Sequence, residues 1–525
     1  MAHTWLVHRL RSLYAAATAE PGERPRGGQA FMGERQGSPP AASASATASG
    51  GKPRPLPDGS GSAPHSPRIV IVGAGLAGLT AAYRLKQRGV LATVYEASDR
   101  AGGRCWTRRG FFEDGQTVER GGEFIDSGHR EIRKLARELG LELDHLVRAE
   151  PAGARPLYSF DGRPYTYDEA ARDFKAVLPR LRKDLEEAGD STQYNRYTRR
   201  GYELDHQSVA GYIDEIVPGG RSSRFGRLLE LAYEVEYGAD VREQSPLNLL
   251  YLLGGGPGGR FRIYGDSDEC FRIRGGNDRL PAGLAARLEG QVCLRSPLAG
   301  IERDGAGRIR LRFRGEGKER EVVADKAILA IPFSVLRTLD YEGAGFRPLK
   351  KAAIEELGMG ANAKLHVQFA RRFWHEAGNN GETFADVGYQ QTFDSSRAQA
   401  GSSGILANYT GGETAARRKA GTEETVRATA DFLNKLDLVL PGGSECWNGL
   451  STLDTWFCNE WSRGAYSYWK VGQYTKFAGM AGEREGNILF AGEHTSVLHP
   501  GYMNGAVESG ELAAREILRD LAAGR

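Results

Sequence analysis

The chain has 525 residues, too many for one ordinary core, so two or more folded lobes are expected. Hydrophobic residues make up 40%, charged residues 26%, and there are 70 glycines, a balance that fits an α/β protein rich in tight turns and excludes fibrous and disulfide-built classes. Residues 1–67 hold seven Lys/Arg against four Asp/Glu, which accounts for the whole net charge of +3, while the rest balances at 63 against 63; such a body has no footprint for a phosphate backbone, so no nucleic acid is expected as a partner.

In chain order, residues 1–66 read as a disordered leader or linker: they lack periodicity and end in a stretch rich in Ala, Ser, Gly and Pro that cannot bury enough apolar surface to order itself. No apolar run matches a signal-peptide core or a membrane span, so no integral membrane segment is expected. A cytoplasmic location is the first expectation, with export through a degenerate N-terminal signal as the alternative. Order begins at Pro67, where the sequence predicts a buried strand over Arg68–Val72, a glycine turn, a helix to about Gln87 and a second strand over Ala92–Glu96. Segments 307–315 and 318–332 alternate and then run apolar, as a hairpin feeding a buried strand would. A further strand is expected within Gly486–Glu493, followed by an amphipathic helix over Met503–Leu521. The blocks between are rich in Tyr, Trp and Arg and predict a second lobe threaded through the first. Five cysteines (Cys105, Cys270, Cys293, Cys446 and Cys458) are widely spaced with no CxxC pair, which disfavours a zinc site.

The chemistry-bearing motif is Gly73-Ala74-Gly75-Leu76-Ala77-Gly78, a GxGxxG between a strand and a helix. Its first glycine makes the turn, the second lets the backbone approach a pyrophosphate at the helix N-terminus, and the third lets helix and strand pack closely. Glu96 ends the second strand 18 residues later, followed by Ala97, where a carboxylate can accept both ribose hydroxyls and selects against a 2′-phosphate. Gly102 and Gly103 allow a second close approach, and Arg104 can meet pyrophosphate charge. The plain readings, glycines in ordinary turns and a solvated arginine, weigh against each motif alone.

The combination of GxGxxG, Glu96, "GGR" and "ERGGEFID" (Glu119–Asp126) resembles the flavin monoamine oxidase family, which includes amine and L-amino acid oxidases, and the similarity runs through most of residues 67–520. The resemblance implies an α/β protein in which a Rossmann-like FAD-binding domain (67–145, 263–333 and 466–525) is interleaved with an α+β substrate-binding domain (146–262 and 334–465). It adds Gly121, Gly122, Glu123, Val292, Gly492, Glu493, Tyr502 and Met503 to the cofactor set, with Val292 at adenine, Gly492 and Glu493 at the ribityl-phosphate, and Tyr502 and Met503 at the isoalloxazine. The helix from Met503 would point its positive end at the flavin pyrimidine.

For catalysis the resemblance implies Lys364 as the lysine that holds a water near flavin N5, and Tyr466 and Tyr502 as an aromatic cage that favours a desolvated neutral amine. A solvent-facing lysine and core tyrosines are the plain readings of the same residues. Two departures matter. Covalent members carry a cysteine before the first cage tyrosine and this chain has Ala465, so the FAD is expected to be non-covalent. Amino acid oxidases of the snake-venom kind place an arginine soon after the glycine pair to clamp the substrate carboxylate, whereas here Gly121 and Gly122 are followed by Glu123, so a carboxylate would need an Arg or Lys from the second lobe, or Trp469 and Lys470, to hold it.

The implied reaction is hydride transfer from the α-carbon of a neutral amine, hydrolysis of the imine to ammonia and a carbonyl, and formation of hydrogen peroxide from O2, with the cofactor supplying the chemistry. An L-amino acid, above all an aromatic one, is the first expectation for the substrate, with a primary monoamine as the alternative. A polyamine, which Glu234 and Glu236 could attract, and a desaturase role rank lower. A NAD-dependent dehydrogenase would share only the first βαβ unit, and a non-catalytic scaffold would not need the lysine and tyrosines. A small amine or amino acid and O2 are the expected partners, and a homodimer is left open.

Overall fold

The computed structural model describes residues 67–256, 260–315 and 319–524; the expected leader, 1–66, lies outside them. From Pro67 onward the chain forms one compact unit, a mixed α/β fold built on two large sheets. In the first, five parallel strands run in the order Ile488–Phe490, Lys326–Leu329, Ile69–Val72, Ala92–Tyr95 and Val292–Cys293. Ile69–Val72 is apolar at every position and fully buried, as a central strand covered on both faces must be. Its alternate side chains enter different cores: Ile69 and Ile71 pack with Leu79, Val94 and Val507, while Val70 and Val72 pack with Leu329, Phe333 and Phe490.

The strand observed at Ile69–Val72 begins one residue after its expected start, and the following helix, Leu76–Gln87, ends where expected. The hairpin becomes a three-stranded antiparallel sheet of Leu298–Arg303, Ile309–Arg314 and Glu319–Ala324, leading into Lys326–Leu329. The last helix runs Met503–Ala522 and lies against Leu76–Gln87.

The second sheet has seven strands in the order Trp447–Thr455, Asn362–Phe369, Gly404–Gly411, Gln390–Asp394, Asn379–Ala385, Arg155–Phe160 and Arg163–Thr166. All its strands come from segments 146–262 and 334–465, and all those of the parallel sheet from the other segments. Asn362–Phe369, second from one edge and paired on both sides, is buried at every position, which carries a lysine at its third position into the interior. Helices Tyr167–Ala188 and Arg224–Tyr237 share an apolar core with this sheet through Tyr158, Phe384, Leu229 and Tyr233.

The packing of the last helix on the first depends on Gly510, where a Cβ would collide with the Ala77 carbonyl. Gly510→Val is therefore expected to destabilise the fold by about 1–3 kcal/mol or more, read as a lower midpoint of denaturant unfolding; an unchanged midpoint would contradict this packing.

Candidate active site

The turn after the first strand has the shape a dinucleotide needs. Gly73 has φ +103°, and a Cβ there would sit 2.6 Å from the Ala330 carbonyl oxygen, so only glycine fits. A Cβ on Gly75 would meet nothing within 4 Å, leaving one side of the backbone open. The helix that starts at Leu76 and Ala77 has no side-chain cap and no acid in its first turn, so its first N–H groups remain for an anion. Gly78 packs against Gly73 where a side chain would collide.

Glu96, before Ala97, is buried at the end of the second strand. Its Oε2 accepts from Ala74 N at 2.7 Å, and its Oε1 from Ser98 N and Oγ at 2.9 Å. That network fixes the carboxylate beside the glycine turn. Val292 pairs with Val94 on the neighbouring edge strand. Gly102 N donates to Ala74 O at 2.8 Å, and Gly103 follows it, so the second glycine pair also reaches the turn. These residues fit a dinucleotide: an open glycine backbone, uncapped helical N–H groups and an anchored acid.

Arg104, expected at the pyrophosphate, is also paired within the protein: Nη1 donates to Glu493 Oε1 at 2.8 Å and to the Ala465 carbonyl at 2.7 Å. Glu493, after Gly492, is a hub. It also accepts from Ser467 N and Oγ at 3.2 and 2.6 Å, and from Gly501 N at 2.8 Å. Burial opposes ionisation of this carboxyl, but Arg104, His494 and the Ser467 hydroxyl outweigh it and hold it below the usual carboxylate range. Ser467 follows Tyr466 and Gly501 precedes Tyr502, so one buried charge sets both tyrosines.

Gly122 is pressed against Met503, where a Cβ would lie 2.9 Å from the Met503 side chain, and Gly121 passes close under Arg104. This approach places Glu123 beneath the seven-stranded sheet. Lys364 Nζ donates to Glu123 Oε2 at 2.7 Å and to Gly121 O at 2.8 Å, while Ser395 Oγ donates to Glu123 Oε1 at 3.2 Å. Glu123, expected among the cofactor contacts, thus gives its carboxylate to Lys364 and Ser395, with the Arg272 guanidinium 3.7 Å away.

Tyr409, opposite Lys364 in the sheet, has its hydroxyl 3.0 Å from that of Tyr466, which also donates to the Glu236 carbonyl. Lys364 Nζ stands 5.7 Å from the ring centres of both Phe393 and Tyr409. Tyr466, Tyr502, Met503, Tyr409 and Phe124 are all only partly covered, as residues around a cavity are. Among the described residues no ring contact joins Tyr466 to Tyr502; the Tyr502 ring meets His129 edge-on at 5.0 Å.

Sequence reasoning missed the acids of this cavity, apart from Glu236. The Glu236 side chain has no hydrogen-bond or ion-pair partner among the described residues. Burial, with the nearby Asp126 charge, pushes its pKa up to about 8, and its field reaches Tyr502, Tyr466, Tyr409 and Tyr264. Burial also raises Glu269, against the pull of Arg397, and lifts Glu382 to about 7. Arg397 is paired with Glu150 at 2.7 Å.

Trp469 and Lys470 do not join the cage. Side chains alternate along an extended segment, and Trp469 falls on the opposite side from Tyr466, packed with Tyr474 and Phe477 at 5.1 and 5.8 Å. Lys470 lines a surface cleft with Tyr202 and His206.

A dinucleotide-type parallel sheet, joined through a buried carboxylate to a tyrosine-lined cavity with a buried lysine, defines a flavin-dependent oxidoreductase of amines. A sequence profile described as "Flavin containing amine oxidoreductase" matches residues 76–518, and the chain belongs to that family. It is 25% identical over 86% of its length to the L-amino-acid oxidase of Pseudechis australis, covering 86% of that protein. It is also 25% identical to amine oxidase [flavin-containing] B of Sus scrofa, with 86% of each covered. Cyclohexylamine oxidase from Brevibacterium oxydans IH-35A shares the fold, with a TM-score of 0.76 at 23% identity over 87% of this chain and 100% of that one. No helix among the described residues is long and apolar enough to cross a membrane.

Glu493→Gln tests the hub. An amide offers one acceptor oxygen where four donors converge and turns its own N–H groups toward some of them, at a cost of about 1–3 kcal/mol. Flavin is expected to stay bound while kcat/KM for an amine falls about tenfold or more; unaltered turnover would remove Glu493 from control of the cage.

Proposed function

We propose that this protein is an amine oxidase with non-covalently bound FAD that oxidises a primary amine carrying a second positive charge at its far end. The feature that carries this reading is Glu236, a carboxyl without a partner among the described residues, whose charge acts on Tyr466, Tyr502, Tyr409 and Tyr264. Glu269, Glu382 and Asp126 add acid on the same side. The cations nearby are already matched, Lys364 and Arg272 to Glu123 and Arg397 to Glu150. A substrate carboxylate would therefore meet acids, whereas an ammonium would ionise Glu236 and gain a charge-assisted contact.

The cofactor would lie along the Gly73–Gly78 turn, with Glu96 at its ribose and Met503 and the uncapped helix Met503–Ala522 at its ring end. Held there, FAD would supply the hydride acceptor for the amine carbon, with O2 as the final electron acceptor. The protein's part is to position and to exclude. Tyr466 and Tyr502 flank the amine and strip its water, which favours the neutral, reactive form. Lys364 keeps its protons directed at Glu123 and Gly121 O. Ala465, in place of a cysteine, leaves no thiol for a covalent link before Tyr466.

An L-amino acid remains the second reading, favoured by Arg397, a guanidinium 5.4 Å from the Phe124 ring at the cavity wall. Peroxide release from the purified yellow protein across α,ω-diamines, matched monoamines and L-amino acids decides between them: diamines are expected to be preferred, and turnover confined to L-amino acids would overturn the reading.

Glu236 also sets a pH dependence. It binds ammonium only when ionised, so the ratio of kcat/KM for a diamine to that for the matched monoamine should rise as pH increases through about 8. In Glu236→Gln the ratio is expected to fall about tenfold and become flat with pH. A variant ratio equal to that of the wild type at every pH would dismiss Glu236 as the second subsite.

A further inference from the structure

Behind Lys364, on the side away from the tyrosines, lies a set of buried polar atoms that the reaction described above does not use. His366 is two residues along the strand from Lys364, shares its face of the sheet and is completely buried. Among the described residues neither of its ring nitrogens has a hydrogen-bond partner. Thr452, directly opposite His366 on the neighbouring strand, has an unpartnered Oγ1. Asp454, opposite Lys364, accepts Arg120 Nε on Oδ1 at 2.6 Å and leaves Oδ2 unpartnered. Arg108 approaches Asp454 to 3.7 Å, and its Nε is also buried without a partner. Five such atoms gathered on two paired strands and Arg108 call for a partner, because buried polar groups are almost always bonded to protein or to ordered water.

The five complement water and not one another. Burial, with the charges of Lys364, Arg108, Arg120 and Arg272, keeps His366 neutral, so its ring offers one donor and one acceptor. Thr452 Oγ1 offers both, Asp454 Oδ2 accepts and Arg108 Nε donates. A buried water needs two to four polar partners of mixed kind, which this set supplies. These atoms lie between Lys364, paired with Asp454 across the strands, and Arg108, whose side chain is 28% exposed and stands 5.8 Å from the exposed Phe111 ring.

We propose that His366, Thr452, Asp454 and Arg108 bind a string of ordered waters that connects the surface at Arg108 to Lys364 and supplies the water consumed in each turnover. The stoichiometry is one water per amine: its oxygen forms the new C=O bond, the C=N bond of the imine breaks, and its two hydrogens leave on the nitrogen as ammonia. The role of the waters rests on the proposed oxidation of an amine between the tyrosines beside Lys364, while their presence does not.

Crystals of the full-chain holoenzyme, at a resolution that shows ordered water, are expected to have water bonded to a His366 ring nitrogen and to Thr452 Oγ1. A dry compartment, or a protein atom bonded to both, overturns the proposal. Thr452→Val keeps the shape and removes the hydroxyl. It is expected to slow steady-state turnover about tenfold with KM unchanged, while anaerobic bleaching of the flavin by amine, which consumes no water, keeps its rate. Equal turnover in variant and wild type overturns the supply route. Failure of the wild type to bleach with any amine or amino acid overturns the reading of the cavity instead, and the crystallographic waters then decide the compartment alone.

Discussion

The site hangs on one buried charge. Glu493 lies where the parallel sheet ends, and its carboxylate is kept ionised in the interior because Arg104, Ser467 and Gly501 all bring donors to it. A charge so deep is costly unless it is fully bonded, so these donors cannot drift without leaving it exposed to an apolar surround. Arg104 belongs to the second glycine turn beside the cofactor groove, Ser467 to the segment carrying Tyr466, and Gly501 to the one carrying Tyr502. Dinucleotide groove and amine cavity are thereby held in fixed relation by electrostatics, where packing alone would allow several arrangements.

The Lys364–Glu123 pair does the same between the sheets. Lys364 is delivered by the most buried strand of the seven-stranded sheet, and Glu123 by the glycine pair squeezed against Met503. An acid at position 123 has two linked effects. It satisfies the buried lysine within the protein, and it moves the cavity's charge balance toward negative, where Glu236, Glu269 and Glu382 already stand with raised pKa values. Acids in that state are primed to ionise against an incoming cation.

What could be read in the sequence was local. The first βαβ unit, the glycine turn with Glu96 and the helix from Met503 rest on short-range periodicity and spacing, and the observed bounds differ by only a residue or so. What depended on register could not be read. The pairing of Lys364 with Tyr409 and Asp454 is fixed only when three strands align, so neither Tyr409 as a cage neighbour nor the partner of Glu123 was visible. Nearness in sequence does not place Trp469 beside Tyr466, because an odd offset along an extended chain turns its side chain toward Tyr474 and Phe477. Arg104 was judged by its motif alone, and the carboxylate that claims it lies 389 residues further on.

The most direct measurement is the absorbance of the bound flavin in the purified protein, mixed without oxygen with an α,ω-diamine, for wild type and for Tyr466→Ala. If amines are oxidised in the cavity between Lys364, Tyr466 and Tyr502, the yellow colour bleaches in the wild type and does so about tenfold or more slowly in the variant, which still binds flavin. Bleaching at the same rate in both, or none with any amine or amino acid, would place the chemistry elsewhere.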